Sequence, residues 1–385
     1  MNDKVIDSTL LPISVDYNYG YIDRTGNIII NTVFEYAWDF SEDMASVQSN
    51  NKQGYINSKG EMRVPPLFDF GHSFYEGLAA VNIGGRWNET GPFCGGKWGF
   101  IDKTGKMVVD PKFDDTYCFG EGLAPVRLNN KWGYMDVSGR MVIDNIFKSV
   151  DLFYEDFASV KFDNGKWGYI NKTGKIITKS QWDKTHHFLE GLACVRSGDS
   201  WGYIDTTGET VLNGFNDARS FSESLAQVKI NDKWGFITKL GDMAIEAKYD
   251  FIQPFEQGLA AVQVSGKWGF IDKLGNLITD YMFDKTWYFT EELAAISYNG
   301  KWGFINRIGE IVIEPQFDKA WYFNEGLARV CLAGKWGYID KNGRIIIKPR
   351  YDAAYKFENG IAVVDIGEKR GYVDICGNCI WEPTI

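Results

Sequence analysis

Histidine is almost missing from this chain, with three residues at 72, 186 and 187. The single adjacent pair, His186-His187, would point to opposite faces of a strand and would not chelate one metal ion without a bend. No G-x-S-x-G, no Gly-rich phosphate loop leading into a helix and no H-E-x-x-H occurs. The expectation is therefore no catalytic residue, no metal and no cofactor; an enzyme is kept only as a remote alternative. Clusters of Lys and Arg are also lacking. With 41 basic and 51 acidic residues the net charge is −10, and nucleic-acid binding, which needs a basic footprint, is not expected. No stretch approaches the roughly 20 apolar residues of a membrane span, and MNDKVIDSTLLPISVDYNYG has no apolar run after a positive start. Six cysteines at 94, 118, 194, 331, 376 and 379 are scattered, which argues against a disulfide framework and for a reducing, cytoplasmic setting. Cys376-x-x-Cys379 has the spacing of half a zinc site or a redox pair, but no second such pair exists. Its place on a hairpin turn admits a labile disulfide or simple drift of a repeat.

What the chain has in abundance is repetition. KWGFIDKTG at Lys97 returns as KWGYMDVSG at Lys131, KWGYINKTG at Lys166, KWGFIDKLG at Lys267, KWGFINRIG at Lys301 and KWGYIDKNG at Lys335. The Gly of the WG pair falls at 20, 54, 99, 133, 168, 202, 235, 269, 303, 337 and 371, eleven copies near a period of 34 residues. At 385 residues a length prior suggests two or three domains, but units this small must stack on their neighbours.

Each unit reads as three strands: L-A-x-V, then W-G-F-I-D, then I-V-I-x-P-x-F. A second Gly six residues after the first supplies positive φ for a short hairpin turn. Runs such as Ile311-Val312-Ile313 favour strands, and Pro111, Pro315 and Pro349 suit a strand end rather than a central ladder position. A connecting loop F-D-x-x-x-x-F-x-E-G follows. Its second Phe recurs in all ten connections, as does the Ala of the next L-A-x-V, which marks a tight packing spot. The 34-residue period also belongs to the helical tetratricopeptide, but these glycines and β-branched runs do not make amphipathic helices.

The K-W-G-[FY]-I-D-K-x-G hairpin preceded by L-A-x-V resembles the WG-repeat family of bacterial β-repeat proteins. The resemblance covers nearly the whole chain; Tyr19-Gly20, Gln53-Gly54 and Arg370-Gly371 depart from it by lacking the Trp. It implies an all-β repeat array, a general interaction role and no shared catalytic motif. The expected layout is a tail at 1–9 and one array at 10–385, with units starting near 10, 44, 78, 123, 157, 192, 225, 259, 293, 327 and 361. An open superhelical or solenoid-like array of eleven three-stranded units is favoured over a closed propeller-like ring, because propellers usually have four to eight blades of four strands.

With the fixed positions assigned to folding, function is expected where units differ. One such place is the insertion 82–96, read as a lengthened turn. Arg86, Trp87 and Phe93 on it could grip a ligand, or it could be a tolerated surface insertion. Another is the column eighteen residues after each WG glycine, with Trp38, Tyr117, Trp287, Trp321 and Tyr355 as its candidate ligand-binding rings. It also contains His72, Asp151, His186, Arg219 and Gln253, and its rings could instead pack between loops. A third is the recurring Glu at 76, 121, 190, 256, 325 and 358, for which a turn or capping role is expected. The leading expectation is a non-enzymatic scaffold for a protein partner, and the alternative is a cell-wall glycan module using the aromatic column. No nucleic-acid or membrane partner is expected, and oligomeric state is left open.

Overall fold

The computed structural model describes residues 10–88 and 93–382; the tail expected at 1–9 lies outside them. Among the described residues there is no helix, so none is long and apolar enough to cross a membrane. The chain divides into two compact units, residues 1–188 with 206–209, and residues 189–205 with 210–385. Both are built from one kind of sheet.

A representative from the first unit is the antiparallel set Asp115–Thr116, Leu123–Leu128, Lys131–Asp136 and Met141–Phe147, joined in that order. In the second unit the equivalent set is Lys319–Asn324, Leu327–Leu332, Lys335–Asp340 and Ile345–Tyr351. The described residues form eleven separate sheets, nine of four strands and two of three. This overturns the expected open solenoid of three-stranded units. Four-stranded antiparallel sheets in chain order, packed face to face, are the blades of a β-propeller fold. The missed strand comes from the connection, in which two residues such as Asp115–Thr116 pair with Arg127 and Val126.

The burial pattern follows from this packing. Ala124-Pro125-Val126 and Trp132-Gly133-Tyr134-Met135 are buried throughout because the middle strands of a blade have a neighbour on each face. The last strand alternates: Ile313 and Phe317 are buried while Glu314 is exposed. Core clusters accordingly draw on consecutive blades. Leu293, Ala295, Phe304 and Ile313 of one blade meet Ala320, Phe323, Ala328 and Val330 of the next. The recurring Ala is enclosed, for example Ala226, Ala294 and Ala328 at 0% exposure, as expected of a tight packing spot.

Both glycines of the repeat have structural causes. A Cβ on Gly303 would sit 2.3 Å from the carbonyl oxygen of Ile313 and 2.7 Å from the nitrogen of Pro315. The ladder breaks register there, since Trp302 pairs with Phe317 but Phe304 pairs with Ile313. Pro315, which has no N–H to give, therefore lies in a bulge within Ile311–Phe317 rather than at a strand end. Gly105 has φ 83° and closes a turn in which its N–H donates to Asp102 O at 2.9 Å. The Asp102 carboxylate accepts from the Thr104 and Lys106 main-chain N–H groups.

Candidate functional site

Blade-to-blade joints use up most of the charged positions of the repeat. The Lys before WG reaches the Asp after the aromatic, as in Lys267–Asp284 at 2.6 Å and Lys301–Asp318 at 2.6 Å. The other oxygen of Asp318 accepts the Ala333 N–H at 2.7 Å. The Lys301 ammonium and that N–H hold the Asp318 carboxyl below its ordinary pKa. The recurring Glu is a joint as well. Glu121 takes a left-handed conformation (φ 52°) and accepts the N–H groups of Glu155 and Asp156 on the next turn, both at 3.1 Å. Lys172 closes the joint at 3.1 Å from Glu121. Glu256 and Glu358 sit one residue early; there Gln257 and Asn359 take the left-handed place. Glu42, Glu223 and Glu291, which E-G spacing alone does not reveal, act like Glu121.

Part of the column eighteen residues after the WG glycine is positioned from beneath. The buried Tyr338 hydroxyl donates to Tyr355 O at 2.6 Å, and Tyr55, Tyr134, Tyr169 and Tyr203 make the same bond to His72, Asp151, His186 and Arg219. Burial raises the pKa of the Tyr338, Tyr55, Tyr134 and Tyr203 phenols. Where a Tyr follows the WG glycine the backbone of the column is thus fixed from below, whereas Phe100, Phe236, Phe270 and Phe304 stand at that place in the units of Tyr117, Gln253, Trp287 and Trp321 and bring no hydroxyl. The aromatic two residues later is core: Phe74, Phe255 and Phe323 are buried.

The column's side chains do not form one continuous ladder of free rings. Tyr117 lies flat on Trp132 with centroids 4.9 Å apart, His72 flat on Trp98 at 5.0 Å, and the Arg219 guanidinium covers Trp234 at 5.0 Å. Burial lowers the His72 pKa. Trp38 meets Tyr36 at 4.5 Å, which in turn meets Tyr19 at 4.6 Å. Trp287 and Trp321, by contrast, stack directly from blade to blade, nearly parallel at 4.6 Å, and both stay half-buried. Beside them Tyr288 and Tyr322 stack at 5.4 Å, a pair that the sequence reading passed over. Tyr355 is exposed and lies under Arg370 at 5.9 Å instead of joining the tryptophans.

The insertion is not the lengthened turn expected. Its two arms extend the hairpin as Leu78–Trp87 and Phe93–Asp102, pairing Arg86 with Cys94 and Trp87 with Phe93; residues 89–92 lie outside the described residues. A Cβ on Gly85 would sit 2.3 Å from the Phe93 ring and one on Gly96 2.3 Å from Gly85 N, so glycine at these two places lets the arms close. Trp87 and Phe93 fold over Phe70 at 5.4 and 5.1 Å, and His72 joins the same group at 5.3 Å from Phe70. Arg86 is exposed outside this cluster. All six cysteines are free thiols, Cys376 and Cys379 included. Among the described residues no group of three or more His, Cys, Asp or Glu is placed to hold a metal ion.

Among solved structures the chain is similar to a eukaryotic initiation factor at 12% identity (TM-score 0.44, 73% of this chain, 92% of that one). It is also similar to BamB from Moraxella catarrhalis at 12% identity (TM-score 0.32, 86% and 94%). A third likeness is to the extracellular domain of the putative one component system BT4673 from B. thetaiotaomicron, at 11% identity (TM-score 0.28, 99% and 71%). No curated protein matches the chain. The WG containing repeat family matches ten times, at 19–52, 54–87, 98–132, 132–167, 167–200, 201–234, 234–268, 268–302, 302–336 and 336–369. The chain belongs to the WG-repeat family.

Proposed function

We propose that this chain is a binding scaffold that engages a protein partner through the connections between its blades. The observation that carries this reading is the Trp287–Trp321 stack. Two large rings at a position free to vary are held half-buried on connections tied into the sheet, Trp287 N–H donating to Ala295 O at 2.9 Å and Trp321 lying within the strand Lys319–Asn324. Large aromatics left partly open on a rigid frame are the usual anchors of protein recognition. The ring faces also favour a protein over a sugar. Trp287 and Trp321 turn a face to each other, and Tyr117 lies on Trp132, so flat faces that a pyranose would cover are partly occupied.

The test is the double variant Trp287→Ala/Trp321→Ala, used as bait beside the wild type, with folding checked by near-ultraviolet circular dichroism. A folded variant that no longer retains a partner held by the wild type supports the reading. A folded variant that retains the partner undiminished overturns it.

A further inference from the structure

In the ten units that follow a connection, one position lies between the Ala and the Val or Ile of L-A-x-V. It holds Ser46, Ala80, Pro125, Ser159, Cys194, Gln227, Ala261, Ala295 or Val363 in nine of them, and Arg329 in one. Arg329 stands on Leu327–Leu332 opposite Tyr338. Its guanidinium lies 4.9 Å from the Trp321 ring centre, and Nη1 donates to Ala354 O at 2.8 Å. Its charge interacts with the phenols of Tyr338, Tyr322 and Tyr355.

Among the described residues no carboxylate comes within ion-pair distance of Arg329. The neighbouring charges are already matched, Lys356 with Glu358 at 2.7 Å and Arg370 with Asp365 at 3.3 Å. A contrast within the chain shows how a self-contained version is built: Arg127 also covers a tryptophan, Trp132 at 5.5 Å, but ion-pairs with Asp115 at 3.1 Å. A half-buried cation without an anion is costly to keep. Burial also pulls the Arg329 pKa below its ordinary value. A guanidinium stacked on an indole still presents N–H groups along its edge, where a carboxylate fits in the plane.

We infer that Arg329, with the Trp287–Trp321 stack beside it, receives the carboxylate of an acidic segment of the protein partner, whose neighbouring apolar side chains lie against the rings. This rests on the scaffold reading and names the chemistry of its partner. A polyanion held by counter-ion release needs several free cations, and this patch shows one among the described residues. An acidic peptide needs only one and suits a patch that is otherwise aromatic.

The full chain is titrated with a random Glu–Tyr copolymer and with an uncharged Gln–Tyr copolymer, since a polycation would be drawn to the acidic chain as a whole, read by tryptophan fluorescence at two salt concentrations. The expected result is binding of the acidic copolymer only, weakened by salt, about tenfold weaker in Arg329→Gln and partly restored in Arg329→Lys. Equal affinity of the wild type for both copolymers overturns the inference without any variant. So does unchanged affinity in a folded Arg329→Gln. If Trp287→Ala/Trp321→Ala loses the acidic copolymer while Arg329→Gln keeps it, the carboxylate inference fails and the aromatic surface stands. If neither variant loses it, both fail.

Discussion

The carboxylate of Glu223 accepts the main-chain N–H of Gly258 at 2.9 Å, across 35 residues and from one blade to the next. Lys273, on the hairpin of that next blade, lies 3.0 Å from the same carboxylate. Burial on its own would raise the Glu223 pKa, but these bonds outweigh it and bring it below the ordinary value.

Glu223→Ala should therefore loosen a blade joint while leaving each blade's own ladder intact. Charge-assisted hydrogen bonds contribute about 1.5–3 kcal/mol when shielded. The side chain is 30% exposed, which brings the expected loss nearer ~1 kcal/mol. Urea unfolding measures it, and a loss within error of zero would remove the joint's energetic role.

Two glycines flanking Trp302 separate crowding from backbone strain. Gly303→Ala drives a methyl to 2.3 Å from a main-chain oxygen, so a loss of about 2–3 kcal/mol is expected. Gly300→Ala meets nothing within 4 Å and has only its φ of 77° to resist it, for about 1 kcal/mol. Thermal melts that rank the two the other way round would contradict the bulge explanation.

The Lys–Asp joints set an acid limit. The Asp318 carboxyl is held low by Lys301 and by the Ala333 N–H, and Asp284 and Asp352 are held low in the same manner. A depressed folded pKa means that the unfolded chain binds protons first. The stabilisation is thus complete above the ordinary carboxylate range and fades as pH falls below about 4. In urea titrations from pH 7 to pH 3, Asp318→Asn should flatten this fall; an equal slope in variant and wild type would refute it.

The WG tryptophans should not be equivalent. Trp234 is 5% exposed, whereas Trp268 is only half-buried against its core. Trp234→Ala is expected to cost about 3–5 kcal/mol, and Trp268→Ala nearer ~2 kcal/mol because less surface leaves water on folding. Chemical denaturation of both variants decides it.

What the sequence showed plainly was whatever every blade needs. The turn glycines, the enclosed Ala328 and the core Phe323 recur because each unit repeats one packing problem. The fourth strand was hidden because in most blades it is only two residues, such as Asp115–Thr116, which have no period to read. The bulge placed Pro315 inside a strand through a register shift that only pairing reveals. The Gly-rich insertion looked like a loop because glycines weaken strands, yet Gly85 and Gly96, where a Cβ would collide with the opposite arm, are what let that arm close. For the candidate site, Trp287 and Trp321 were visible as departures from the repeat, but their mutual stack was not. Arg329 was legible in principle, as the single charge at its position in ten aligned copies.

The most direct measurement is made on Trp287→Ala/Trp321→Ala, recording melting temperature and partner binding on the same samples. If the repeat's fixed positions carry the fold and its varying connections carry recognition, the melting temperature falls by only a few degrees and binding is lost. Collapse of the fold would place both rings in the core, and a stable variant with intact binding would move the contact surface elsewhere.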